Sequence, residues 1–136
     1  MTPGSAYDAI VASVEAIVVT QTHERDRFNA HAGTLAEMPV RDRVFLLSFQ
    51  TGVDRIETRM GCDEYHAEFE MTTVYTSSNK IQQRMGDDTK LVYDALVDLI
   101  GSSDITDVQF LSSDISMADD RTYFSRRNFD VTFIAT

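Results

Sequence analysis

The sequence predicts an α+β fold: an antiparallel β-sheet with helices packed on one face and a protruding β-hairpin arm. Three observations carry that expectation. From Tyr65 to Tyr75 the residues alternate, with Tyr65, Ala67, Phe69, Met71 and Tyr75 on one face and His66, Glu68, Glu70 and Thr72 on the other. Such a period of two marks a strand with one wet face. From Lys80 the period changes, and Ile81, Met85, Val92, Ala95, Leu96 and Leu99 form a helical stripe with Asp88 at its midpoint. The remaining strand-like runs are joined by short or hairpin-like links, which favours antiparallel pairing, apart from the crossover made by that helix.

The elements follow in order. Ser5 and Asp8 resemble a capping box with Asp in place of Glu or Gln. Tyr7, Ile10, Val11, Val14, Ile17 and Val18 then repeat at three and four, which predicts a first helix over Ala6–Thr20 with its stripe laid on the sheet. Gln21–Val40 has no period and is rich in polar and charged residues. It reads as a long connection, with a short strand near Arg27–Ala30 and with Phe28 and Leu35 as tethers. A loop of that length is a candidate contact surface. In Arg41–Thr51 both faces are apolar, so this strand is expected to be central or covered on its second face by a neighbouring subunit.

Gly52–Glu64 is polar and separates two strands, hence the expected arm. Ser77, Ser78 and Asn79 offer N-caps to the long helix. Gly86 weakens that helix, and Asp88 on its apolar stripe reads either as a carboxylate buried against an arginine or as the mark of a break near Gly86; the break is the favoured reading. Gly101-Ser-Ser stops the helix. Ile105–Ile115 and Tyr123–Ala135 read as two closing strands around a turn at Met117–Arg121, the last with Phe129, Val131, Phe133 and Ala135 on one face.

Length and composition bound the function. The 136 residues, 43% of them hydrophobic, fit one domain, 1–136, with a core large enough to need no staple. A single cysteine, Cys62, excludes an intramolecular disulfide and a Cys-rich zinc site. Cys62 and His66 have ligand-like spacing but no second pair beside them, so no metal is expected. His23 and His31 read as surface histidines. No G-x-S-x-G elbow and no phosphate-binding G-x-x-x-x-G-K-[ST] loop is present. The adjacent pairs Asp87-Asp88 and Asp119-Asp120 point apart on any regular element. The chain is therefore expected not to be an enzyme and to need no cofactor. No apolar run is long enough for a membrane span, and no signal pattern opens the sequence; both point to a cytoplasm, or to a particle assembled there. A net charge of −10 disfavours a surface that grips DNA by its phosphates, yet not one that DNA slides past.

The element order has a resemblance. A first helix and an aromatic-bearing strand precede the long strand Tyr65-x-Ala-x-Phe-x-Met, which runs into the helix Val92-Tyr-Asp-Ala-Leu-Val-Asp-Leu-Ile100. A hairpin ending in Arg127-Asn-Phe-Asp-Val-Thr-Phe-Ile134 closes the pattern. From about Tyr7 to Ala135 the chain resembles the tail terminator proteins of long-tailed bacteriophages, the minor-tail-protein-U-like group, and related tail-completion proteins. The resemblance implies a homo-oligomeric, six-membered ring in the virion, at the head-proximal end of the tail, assembled in the host cytoplasm. Such a ring caps the tail tube protein, stops its polymerisation and meets the head-side connector. Genome DNA passes through its lumen without specific binding, and no bond is made or broken. A ring joins unlike patches head to tail. The subunit-interface candidates are Arg55, Arg59, Asp63 and Glu64 of the arm, Arg121 at the hairpin turn, and Arg126 and Arg127 beside it. Two other readings remain open: a neck, head–tail joining or tail-completion protein of similar fold, and a cytoplasmic α+β ligand-binding domain or an enzyme without a recognisable signature.

Overall fold

The computed structural model describes residues 1–18, 27–50, 54–56, 63–76 and 80–135, with the backbone alone described at 54–56 and 63. Two α-helices, α1 (Pro3–Glu15) and α2 (Ile81–Asp98), accompany six strands. The strands are β1 (Asn29–Ala30), β2 (Val44–Phe49), β3 (Asp54–Ile56), β4 (Asp63–Thr76), β5 (Ile105–Asp119) and β6 (Thr122–Ala135). They form one sheet in the order β1-β2-β4-β6-β5, with β3 paired to β4 beyond the end of β2. All pairings are antiparallel except β1 with β2, which is parallel because the long connection returns the chain to the same end of the sheet. The α+β class therefore holds, with a mixed rather than purely antiparallel sheet.

Both helices lie on the same face. Ala6, Ile10 and Val14 of α1 and Val92 and Leu96 of α2 join Phe45, Leu47, Ala67, Phe69, Met71, Phe129, Val131 and Phe133 in one buried cluster. Register explains why those strand residues share it. Phe49 stands opposite Phe69, Phe69 opposite Phe129, and Phe129 opposite Phe110, so four phenylalanines from four strands make one row across the sheet. Neighbouring rings lie 4.8, 5.7 and 5.9 Å apart, within the range of favourable aromatic pairs. Tyr7 of α1 covers the Phe49 end and Tyr93 of α2 the Phe110 end. The Tyr7 hydroxyl also donates to the Leu47 carbonyl at 2.6 Å, tying α1 to β2.

Several local expectations are revised. Helix α1 starts at Pro3, earlier than Ala6, because Thr2 is the N-cap and exchanges hydrogen bonds with Ser5 in a capping box. Lys80, in the left-handed region at φ +63°, holds the N-cap of α2 with no side-chain cap, and the cap candidates Ser77–Asn79 lie outside the described residues. Helix α2 runs through Gly86 without a break. On the second face of β2, Val44 and Leu46 pack with Val74, Phe124 and Met38 of the same chain. Met38 thus anchors the long connection, while Leu35 is exposed and Phe28, as expected, is buried. The base of the expected arm is a strand of the sheet. Asp54–Ile56 pairs with Glu64–His66, which β6 flanks on the other side. A protrusion is not observed there, and residues 57–62 lie outside the described set.

Candidate functional site

Two regions carry the unusual chemistry. The first lies between α2 and the sheet, where charges sit inside. The turn before β2 holds Arg43 at φ +61°, a conformation non-glycine residues seldom adopt. Backbone bonds fix it: its N–H donates to the Val74 carbonyl at 2.7 Å, and its own carbonyl accepts from Asn29 at 3.2 Å. The side chain lies over the Phe28 ring, 5.3 Å from its centre, and reaches Asp88 with two bonds of 3.0 and 2.7 Å. Asp88 is 1% exposed, and Arg43 is nearly buried beside it. One helical turn earlier, Arg84 meets Asp42 at 2.6 Å, and Asp42 also accepts the Thr76 N–H. Two successive turn residues and two helix residues one turn apart therefore clamp α2 to the sheet. Asp88 on the apolar stripe is explained by a buried arginine, not by a helix break.

Arg127 continues this interior group and is 1% exposed. Its guanidinium donates to Thr73 (3.0 Å), Tyr75 (3.2 Å) and twice to Thr89 (3.1 and 3.0 Å), hydroxyls from β4 and α2. Burial pushes the Tyr75 phenol well above its ordinary value of 10.0; the Arg127 cation pulls it partly back and the nearby Asp88 carboxylate raises it further. Because the folded state holds this proton more tightly than the unfolded chain, the stability it contributes is present below pH 10 and is lost as pH rises above it. Denaturant midpoints measured at pH 9 and pH 11 are expected to fall more for the wild type than for Tyr75→Phe. Equal falls would remove Tyr75 as the cause.

The second region is the sheet face opposite the helices. There Glu64, Glu68, Glu70, Asp107, Asp114 and Asp130 project together with His66 and Arg126, as the alternation and register require. Glu68 stands directly opposite Asp130, and His66 Nδ1 lies 3.4 Å from Asp130. The outer half of the β5–β6 hairpin leaves Ile115 59% and Met117 60% exposed.

The sequence-derived interface residues do not form one patch. Arg121 is exposed at the hairpin turn, where its backbone N–H donates to Asp119 at 2.7 Å and holds that carboxyl below its ordinary range. Arg126 is half-buried on the acidic face, opposite Thr72 and Asp114. Glu64 is on the same face near the other end of β4. Arg127, expected at a subunit surface, is interior, because odd positions of β6 face the helices. Arg55 lies in β3 opposite Tyr65, and Asp63 opens β4 opposite Ala135; Arg59 is outside the described residues. Reading the sequence missed Arg43 as the partner of Asp88, and Ile115 and Met117 as exposed apolar residues; the alternation of β5 was the available signal for the latter. Two open cavities lie between α2 and β5, one of about 250 Å³ beside Thr89, Tyr93 and Phe110, the other of about 410 Å³ beside Met85, Gly86 and Ile115. Among the described residues no three of His, Cys, Asp and Glu are grouped to hold a metal, and no helix is long and apolar enough to cross a membrane.

No protein-family model matches the chain, and no curated protein matches it.

Proposed function

We propose that this protein is a structural virion subunit, a tail-terminator ring component that caps the phage tail tube and forms the junction with the head-side connector. One observation carries the reading. The elements occur in the order on which the resemblance rests: a first helix, an aromatic-bearing strand, a long strand leading to a long helix, and two long closing strands. The acidic sheet face adds support, since carboxylates on a lumen wall repel phosphate and let DNA pass without adhering. The role is recognition and capping in a homo-oligomer, expected as a hexamer, with the tail tube and connector proteins as partners and no reaction catalysed.

The test is the copy number in purified particles of the source virus, by quantitative mass spectrometry against the tube protein. A closed six-membered ring requires about six copies per particle. Hundreds of copies would make the protein a tube or coat subunit, and absence from particles would refute the structural role.

A further inference from the structure

Among the described residues, the outer edge of β5 is unpaired along its length. It pairs with β6 on one side, and no described strand lies on the other. Natural sheets protect such edges with lysine, proline, short strands or bulges. Over Ile105–Asp119 there is no Lys, Arg or Pro, and the charges are Asp107, Asp114 and Asp119, which deter an acidic strand but not a basic one. The ladder is irregular at Ile105/Asp107, Phe110/Ser112 and Met117/Asp119, but between the last two irregularities Ser112–Met117 pairs without interruption. That regular stretch is therefore the least protected part of the edge.

Its two faces differ in chemistry. Ser113, Ile115 and Met117 stand opposite Arg127, Ser125 and Tyr123, on the side of the helices. Ile115 and Met117 are exposed there, and Ile115 borders the 410 Å³ groove beneath α2 with Met85 and Gly86. A side chain at Gly86 would meet nothing within 4 Å, so the groove is open at that wall. On the opposite side Asp114 stands on the acidic face with Asp107, Asp130, Glu68 and Glu70, against Arg126 and His66.

We propose that the β5 edge between Ser112 and Met117 accepts an extended segment of a partner polypeptide in which apolar residues alternate with lysines or arginines. Main-chain hydrogen bonds would extend the sheet by one strand. The period of two would place every apolar side chain over the groove and every basic one over the carboxylates. Charge selects the occupant: a second copy of this chain carries a net charge of −10 and is repelled, whereas a basic segment is attracted. The inference rests on the fold and does not depend on the ring reading.

The test uses the whole protein and three labelled decapeptides read by fluorescence anisotropy: alternating Val/Lys, alternating Val/Glu, and a scrambled Val/Lys peptide of the same composition. The alternating Val/Lys peptide is expected to bind about tenfold or more tighter than either control, a difference of about 1.4 kcal/mol. It is also expected to slow hydrogen exchange of amides within Ser112–Met117. Ile115→Lys/Met117→Lys, at two exposed positions, is expected to weaken it about tenfold. Asp107→Lys/Asp114→Lys is expected to shift the preference toward Val/Glu. Equal binding of the scrambled and alternating peptides, or protection elsewhere, would overturn the proposal. So would concentration-dependent self-association in the absence of peptide that Ile115→Lys abolishes, since a second copy would then be the occupant.

Discussion

Asp88→Leu is expected to destabilise the folded protein by about 3 kcal/mol or somewhat more, near the lower end of the roughly 3–5 kcal/mol for breaking a buried ion pair. The lower end applies because Arg43 keeps 11% of its side chain exposed while Asp88 keeps 1%. The substitution leaves Arg43 charged, held by its turn backbone and by Phe28, and without its two bonds to Asp88. For a domain of this size the loss corresponds to roughly 10–15 °C in melting temperature. The double variant Arg43→Met/Asp88→Leu is expected to recover most of it, because removing both charges removes both desolvation costs. Thermal melts of the three proteins decide the matter. If the double variant melts as low as Asp88→Leu, the pair is not what the aspartate contributes.

Phe129→Ala is expected to cost about 3–5 kcal/mol, as for other fully buried phenylalanines. Phe129 is wholly buried at an interior position of the cross-strand row, between Phe69 and Phe110, with β6 held on both sides by long ladders. Neither neighbouring strand can close on the cavity without breaking its own pairing. Phe49→Ala, at the exposed end of the same row, removes the same atoms from a ring that is 42% exposed, and is expected to cost about 1 kcal/mol. Urea denaturation of both variants gives the comparison. Similar losses would mean that burial within the row does not set the energetics.

The parts of this fold legible in the sequence are those where one element has one wet and one dry face. Tyr65–Tyr75 alternates because β4 has helices on one side and carboxylates on the other. The stripe of α2 is visible because Met85, Val92 and Leu96 must all reach the sheet, and Asp88 stood out on it as a polar exception. Its explanation required Arg43, which lies far away in sequence. Arg127 was misplaced for a similar reason: a charged residue in a strand is normally exposed, and the hydroxyls that receive it, Thr73, Tyr75 and Thr89, come from two other elements. Met38 covers the second face from a segment with no period, so nothing local announced it. Among the proposed interface residues, Arg121 is exposed and Arg126 half-buried on the open face, positions that follow from the hairpin register alone.

The position of β6 also bears on how the chain is made. Strand β4 lies between β2 and β6, and its Thr76 meets Thr122 only after all of α2 and β5 have been synthesised. During vectorial synthesis β4 can pair with β2 early, but its other edge, including the segment Met71–Tyr75, waits for the last strand. The β5–β6 hairpin closes locally on a two-residue turn, at far smaller entropic cost than the β4–β6 ladder. The nascent chain therefore passes through a stage with an apolar strand edge open and the hairpin still to come. That stage, rather than the finished fold, is where chaperone contact or misassembly would act.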